Sequence, residues 1–246
     1  MERVLVFGAT SAIAAEVCER HARRGDRLHL VGRDPGRLAA VVGRCRAAGA
    51  EVSFEAADLD ETDHAAALVA RAVAALGGVD RALVAHGLLG DQQHTERVYA
   101  AAEQVFRTNL LSAVSVLVPL CDALERGARL AVITSVAGDR GRPRNYTYGA
   151  AKGALNVYMQ GVRTRLYPTA VSVTTIKLGP VDTPMTRDHT KNVFFAEPVG
   201  VARRIVTAMD ARAGEIYIPG WWRLIMPVVR GLPEAVLQRL TFLSGR

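Results

Sequence analysis

Val4-Leu5-Val6-Phe7-Gly8-Ala9-Thr10-Ser11-Ala12-Ile13-Ala14 sets the architecture of this 246-residue chain. The four apolar residues read as a buried strand, and the residues after Ser11 read as a helix running to about Arg24. Gly8 permits the turn between them. Strand, tight turn and helix in that order leave free backbone N–H groups and a positive dipole end facing outward, a ready site for a phosphate. Small residues at 12 and 14 let the backbone come close to a pyrophosphate and let the helix pack on the sheet. Turns of this kind mostly carry glycine at all three places; here the second and third are alanine.

The same alternation repeats along the chain. Leu28-His29-Leu30-Val31 is a second strand, and it ends in Gly32-Arg33-Asp34. An acidic residue at that end would grip a ribose 2′-OH, whereas glycine followed by Arg33 suits a 2′-phosphate. The expectation is NADP(H) over NAD(H), with a solvated turn as the other reading of Arg33. A helix near 35–48 leads to strand Val52–Glu55 and the turn Ala57-Asp58-Leu59. After a helix at about 62–76 comes strand Ala82–Ala85, followed by His86-Gly87-Leu88-Leu89-Gly90. One long helix is expected from about Glu96 to Ala123, with Asn109 inside its apolar face. Strand Leu130–Ile133 delivers Ser135. A helix carrying Tyr148 runs to about Leu166, then strand Val171–Ile176, a helix near 198–212 and strand Glu215–Ile218. Strands alternating with helices imply an α/β fold: one Rossmann-type doubly wound parallel sheet with helices on both faces. Ligands of such sheets bind beyond the carboxyl ends of the strands. With no internal repeat, low-complexity tract or linker, one domain is expected over 1–246, with a core at 3–219 and an apolar helical extension at 220–246.

On their helix Tyr148 and Lys152 are four apart and share one face. A lysine ammonium beside a phenol favours the phenolate, so the tyrosine pKa is expected to fall toward neutrality and suit it to proton transfer. The spacing is common by chance, and context decides what it means.

Composition narrows the field. The formal net charge is +7, and the only lysines are Lys152, Lys177 and Lys191. The arginines are scattered without interleaved aromatics, so arginine reads as the default surface cation and no nucleic-acid stripe is expected. No run of eighteen residues lacks charges, and Met1-Glu2-Arg3 leads straight into a strand without a signal-peptide pattern. Cys18, Cys45 and Cys121 are odd in number and widely spaced, with neither zinc-type nor redox-type spacing. The expectation is a cytoplasmic protein with reduced thiols and no metal.

Taken together, Gly8-x-x-x-Ala12-x-Ala14, Asp58-Leu59, Asn109, Ser135, Tyr148-x-x-x-Lys152 and Gly179-Pro180-Val181-Asp182-Thr183-Pro184-Met185 make the chain resemble a short-chain dehydrogenase/reductase over about residues 3–219. Ser135 lies thirteen residues before Tyr148, the separation that family uses. The resemblance implies a ketone–secondary alcohol oxidoreductase in which Tyr148 handles the proton and Ser135 holds the carbonyl oxygen. It implies that Lys152 tunes Tyr148 and meets the nicotinamide ribose, while Asn109 anchors a water linking Lys152 to solvent. For Ser135 a turn-capping role, and for Asn109 the bracing of its helix against a loop, are the structural alternatives. Cofactor contacts are implied for Gly8, Thr10, Ser11, Ala12, Ile13, Arg33, Asp58, Leu59, His86, Gly87, Val181 and Thr183, besides Tyr148 and Lys152. Asp58 would face the adenine amino group and Thr183 the nicotinamide carboxamide. Where the family often has Asn-Ala-Gly, this chain has Ala85-His86-Gly87, which places His86 in the cofactor cleft as a packing or contact residue. Homodimers or homotetramers built through the Asn109 and Tyr148 helices are common in the family and are expected by resemblance.

The tail, Trp221-Trp222-Arg223-Leu224-Ile225-Met226-Pro227-Val228-Val229-Arg230 and an apolar helix pattern through Leu243, fits a peripheral membrane contact through 221–243. A lid over the substrate cleft or a subunit contact fits it equally. Pro227 and Pro233 are expected to divide it into short pieces. The tail, Ala85–Asp91 and Gly138-Asp139-Arg140 partly resemble the decaprenylphosphoryl-2-keto-pentose reductase subgroup, which implies a hydrophobic or lipid-linked carbonyl substrate, in the subgroup's case a polyprenyl-phosphate keto-sugar. A catalytically silent NADP(H) sensor and an internal-redox epimerase are the alternatives.

Overall fold

A computed structural model of the chain describes residues 1–187 and 190–239. The end of the expected tail helix, 240–243, lies outside the described residues. In chain order the elements are β1 Arg3–Phe7, α1 Ala12–Ala22, β2 Arg27–Gly32, α2 Pro35–Ala47, β3 Val52–Ala56, α3 Ala65–Leu76 and β4 Arg81–Val84. There follow the single turn α4 Gln92–Thr95, α5 Tyr99–Phe106, a π-helical turn Arg107–Leu111, α6 Ser112–Ala123, β5 Arg129–Ser135 and α7 Tyr146–Leu166. β6 Ser172–Leu178, α8 Pro198–Asp210, β7 Glu215–Ile218, α9 Trp222–Gly231 and α10 Glu234–Arg239 complete it.

All seven strands are parallel, in the order β3-β2-β1-β4-β5-β6-β7. The order reverses between β1 and β4, which opens a crevice at their carboxyl ends. β1 shows why its sequence is apolar throughout. Val4 and Val6 enter a core layer with α1, α2 and α8, while Leu5 and Phe7 enter a second layer with α3, α6 and α7. A strand covered on both faces has no side left for polar residues. Asp34, next to Arg33, caps α2 by accepting the Arg37 N–H at 2.9 Å, with Pro35 in the first turn.

Three differences from expectation have identifiable causes. The long helix is interrupted: α4 precedes it, it begins at Tyr99, and the π-helical turn centred on Asn109 separates α5 from α6. Although the stretch Tyr99–Ala123 is apolar and long enough to cross a membrane, Val116, Leu117 and Leu120 are packed in the second core layer. Pro227 lies inside α9, and the break falls at Leu232-Pro233 instead. Nor is arginine only a surface cation. Arg81 is 4% exposed, pairing with Glu2 and, at 2.6 Å, with Asp210. Arg129 joins Glu2 at 2.6 Å and Arg3 joins Asp80 at 2.8 Å, so ion pairs lace the amino-terminal edge of the sheet. The three cysteines are free and buried, and burial pushes Cys45 and Cys121 up to about 11, leaving neutral thiols.

At the crevice β1 and β4 meet closely. Ala85 N–H donates to the Phe7 carbonyl at 2.9 Å, and a Cβ on Gly8, whose φ is +78°, would lie 2.6 Å from the His86 backbone nitrogen. Gly8→Ala is therefore expected to destabilise the fold by on the order of 3 kcal/mol, from left-handed strain and overpacking together. Denaturant unfolding checks this, and an unchanged midpoint would contradict the close approach.

Candidate active site

The site forms where α7 lies against the end of β5. Ser135 ends β5 and is followed by a 3₁₀ turn, Val136–Asp139, that packs tightly on α7. Glycines make the approach possible. A Cβ on Gly149 would lie 2.7 Å from the Ala137 carbonyl, and one on Gly153 would lie 2.8 Å from that of Gly138. The first turn of α7 is held by α4: Gln92 Oε1 accepts the Thr147 N–H at 3.0 Å, and the Thr95 and Thr147 hydroxyls are 3.1 Å apart. Tyr148 is fixed there, close enough to the Ser135 hydroxyl for that hydroxyl to favour its phenolate form. Ser135 Oγ itself donates to the Leu178 carbonyl at 3.3 Å and accepts the Ala137 N–H at 3.0 Å. It thus caps the turn while it faces the phenol.

Lys152 is 3% exposed, with Nζ 3.3 Å from the Ile133 carbonyl and 5.8 Å from the Tyr148 ring centroid. Beside it, a Cβ on Gly87 would lie 3.3 Å from Nζ and 2.8 Å from Asn109 Oδ1. Asn109 is fully buried in the π-helical turn, a feature frequent at functional sites. Its Nδ2 donates to the Leu88 and Val105 carbonyls at 2.6 and 2.8 Å, and its Oδ1 accepts the Leu88 N–H at 3.2 Å. The side chain braces the loop after β4; both Nδ2 hydrogens are used, and Oδ1 keeps one lone pair for the expected water.

One expectation is overturned. The tyrosine pKa does not fall: burial pushes Tyr148 up to about 12, against the opposing pull of Ser135. Lys152 moves the other way, down to about 8, because burial penalises its ammonium. Sequence spacing brings the two groups together, and desolvation decides the sign.

The residues expected to hold a dinucleotide lie across the crevice. Ser11 N–H closes the turn on the Gly8 carbonyl at 3.0 Å, and the helical ladder of α1 begins with Ala15 N–H to the Ser11 carbonyl. The amides of Ala12 and Ile13 therefore have no partner within the helix. Thr10 is in the same turn, and Gly32 packs closely beside it, since a Cβ there would lie 2.9 Å from Thr10 Cγ2. Arg33 is exposed and lies 3.6 Å from Asp58, which also accepts the Asp60 N–H at 3.1 Å. Leu59 is buried in the second core layer. A cavity of about 450 Å³ beside Asp58 and Leu59 is lined by residues from β3 through α3, among them Glu55, His64 and Arg71, and by none of the other residues expected to bind the dinucleotide, so it is not the cofactor crevice. Val181 and Thr183 follow β6, with the Val181 carbonyl accepting from Thr186 at 2.7 Å and from Thr183 at 3.5 Å. From β2 to β5 is three strand spacings, about 14 Å.

His86 supplies a sharper test of fit. Ser112 Oγ donates to the Thr108 carbonyl at 2.7 Å, so His86 Nε2, 2.8 Å away, must donate to Ser112. That leaves His86 Nδ1 as a bare acceptor, buried and without a partner. Burial and the nearby Lys152 hold the ring neutral, at about 3. An orphaned acceptor between Gly8 and Lys152 fits a hydroxyl-bearing ligand in the crevice.

Several contributors escaped sequence reasoning. Arg37 Nη2 donates to the Thr10 carbonyl at 2.9 Å and buttresses the phosphate turn. Lys177, 3% exposed, joins Asp139 at 2.8 Å and Glu215 at 3.1 Å, and Tyr217 donates to Asp139 at 2.7 Å. This network ties the turn after Ser135 to β6 and β7. The glycines at 149 and 153, four apart on α7, were the available signal for close packing. α9 covers the same turn: Val136, Met226 and Val229 form a small core, and Trp222 fits against Gly179. No cluster of metal-ligating residues is present among the described residues.

Comparison with known proteins gives a consistent result. Residues 2–193 match the sequence model of the short chain dehydrogenase family. An uncharacterized oxidoreductase of Streptomyces coelicolor is 36% identical over 242 residues, covering 96% of this chain and 95% of that one. An uncharacterized oxidoreductase of Mycobacterium tuberculosis is 34% identical over 241 residues, covering 96% of each. Among solved structures, a Burkholderia cenocepacia protein described as a dehydrogenase, with bound NADP, aligns with a TM-score of 0.81 at 19% identity, over 88% of this chain and 91% of that chain. A Serratia marcescens short-chain dehydrogenase/reductase aligns at 0.80 and 20% identity, over 88% and 96%. At such identities the structural likeness concerns the fold alone.

The Lys152 ammonium generates a stability prediction. Its folded-state pKa of about 8 is below the ordinary 10.5, so stability is present above 10.5 and is lost as pH falls through about 8. The difference is on the order of 3 kcal/mol. Lys152→Met should melt no lower than wild type at pH 7, and any advantage should vanish between about pH 8 and 10.5. Thermal unfolding across pH measures this; a variant several degrees less stable at pH 7 would contradict it.

Proposed function

The chain belongs to the short-chain dehydrogenase family, and from that membership we propose that this oxidoreductase interconverts a ketone and a secondary alcohol using NADP(H). The observation that carries the reading is the meeting of Ser135, Tyr148 and Lys152 at one end of the sheet. When bound, the nicotinamide would supply or accept the hydride. Ser135 orients the carbonyl oxygen by hydrogen bonding. Tyr148, a neutral phenol in its buried setting, gives the proton to that oxygen in reduction and takes it back in oxidation. The Lys152 ammonium stabilises the phenolate left behind, in surroundings from which water is largely excluded. The fit of a dinucleotide is supported by the Gly8 cradle, the free amides of α1 and the orphaned His86 Nδ1. Arg33 would hold the 2′-phosphate, exchanging its long contact with Asp58 for charge-assisted hydrogen bonds.

A hydrophobic or lipid-linked substrate is favoured by α9, which covers the turn after Ser135 and leaves Trp221, Leu224 and Val228 exposed. The same exposed residues would support peripheral contact with a membrane from the cytoplasmic side. Exposed Leu111, Val118 and Val157 support association of two copies through the Asn109 and Tyr148 helices.

Tyr148→Phe should lower kcat about 10²- to 10⁴-fold. NADPH affinity should change by less than roughly threefold, since no phosphate contact is removed. No turnover in wild type, with a cofactor-dependent output that Tyr148→Phe leaves unchanged, would favour a silent sensor, and turnover without net NADPH consumption would favour the epimerase. Arg33→Ala should weaken NADPH binding about 10- to 100-fold and leave NADH nearly unaffected. Fluorescence titration with both cofactors decides, and equal losses would remove the case for the 2′-phosphate.

A further inference from the structure

Three arginines, Arg20, Arg23 and Arg24, gather at and just beyond the carboxyl end of α1, and Arg203 faces them from α8. The four line a groove of about 160 Å³ between the two helices, completed by Val206 and Thr207. Val206 is buried and gives the groove an apolar floor, while Arg23, Arg24, Arg203 and Thr207 are exposed around it. No carboxylate lines it.

The carboxylates that pair with this cluster are each shared between two guanidinium groups. Asp210 lies 2.9 Å from Arg24 and 2.6 Å from Arg81. Glu19 lies 2.8 Å from Arg23 and 2.6 Å from Arg44. Among the described residues neither of them pairs with Arg20 or Arg203. Arg20 Nη2 donates to the Val199 carbonyl in the first turn of α8 at 3.3 Å, and its Nε is buried without a partner. The negative dipole end of α1 accounts for cations in the last turn of that helix. It does not account for Arg203, which lies past the first turn of α8 and beyond the reach of that helix's own ends. Guanidinium groups brought together from two helices, in excess of the carboxylates that balance them, favour an anion between them.

We propose that the groove between α1 and α8 is a separate anion site, taking one phosphoryl group between Arg20 and Arg203. The oxygens of a phosphoryl group accept from several guanidinium forks at once, and forks approaching from two helices meet different oxygens. The site is remote from the cofactor crevice. The Gly8 turn lies at the opposite end of α1, and Asp210, which flanks the groove, belongs to the ion pairs of the amino-terminal edge of the sheet. A bound phosphoryl group ties the carboxyl end of α1 to α8, two helices of the first core layer. The inference does not depend on the oxidoreductase reading.

The test is thermal unfolding of the full chain in inorganic phosphate, against sodium chloride of the same ionic strength. Wild type is compared with Arg203→Gln, with the double variant Arg20→Gln/Arg203→Gln, and with Arg126→Gln, a control of equal charge change at an exposed arginine before β5. Phosphate should raise the midpoint of wild type and control by about 3 to 6 °C over chloride. That gain should fall by about half in Arg203→Gln, which removes no contact of the fold, and further in the double variant. Phosphate held at the Gly8 turn would stabilise all four proteins alike, so the part that depends on Arg203 reports the groove. Co-sedimentation with phosphatidylcholine vesicles, with and without phosphatidic acid, separates the two sources of a phosphoryl group. Capture that requires phosphatidic acid and Arg203 identifies a lipid headgroup, and a response to free phosphate alone identifies a soluble one. Equal phosphate gains in wild type and Arg203→Gln, together with vesicle capture that ignores Arg203, overturn the site.

Discussion

A single buried ammonium constrains most of the site. Lys152 is almost wholly removed from water and has one protein acceptor, the Ile133 carbonyl. To hold a cation there, four pieces of chain must fit around it: the end of β5, the side-chain-free Gly87, the π-helical turn with Asn109, and α7 itself. Each is fixed by something other than the charge. Asn109 spends its side chain on backbone groups of the β4 loop and α5, and Gly149 and Gly153 let α7 settle against the Ser135 turn. The scaffold therefore imposes the burial, and the ammonium bears its cost.

The same exclusion of water moves Tyr148 and Lys152 in opposite directions, up to about 12 and down to about 8. Both shifts favour the neutral form of the group. A phenol so placed is a resident proton donor, and it becomes a base only with help from the adjacent cation. That help is strongest in low-dielectric surroundings, where the electrostatic attraction between phenolate and ammonium is least screened. Desolvation thus opposes ionisation of the phenol and strengthens the interaction that makes ionisation usable.

Much of this was legible in the sequence because it depends on local periodicity. Apolar runs gave the strands, Gly8 the first turn, and the four-residue interval the shared face of Tyr148 and Lys152. What was hidden depends on neighbours distant in the chain. Nothing near Asn109 announces a π-helical turn; its side-chain partners Leu88 and Val105 define that bend only in the fold. Pro227 suggested a break, yet it lies on the exposed side of α9, where water can replace the missing hydrogen bond, while Met226 and Val229 anchor the buried side. Arg33 was visible as a candidate, whereas Arg37, which buttresses the Thr10 carbonyl, needed the first turn of α2 to be folded beside β1. The sign of the Tyr148 shift was out of reach for the same reason, since burial is a property of the assembled layers.

The net charge acquires meaning only when divided between the two ends of the sheet. At the amino-terminal edge Arg3, Arg81 and Arg129 interlock with Glu2, Asp80 and Asp210, so their charges are locally balanced and serve cohesion. At the carboxyl-terminal edge the balance differs. Among the described residues Lys152 has the Ile133 carbonyl as its hydrogen-bond acceptor, and Arg33 has a long and exposed contact with Asp58. The positive ends of α1 and α7 add to the same side. Cations gather on other surfaces as well, since Arg20, Arg23, Arg24 and Arg203 line one groove between α1 and α8. What distinguishes the crevice is that its cations lie beside two helix amino ends and an exposed turn, so the local field there favours an anion.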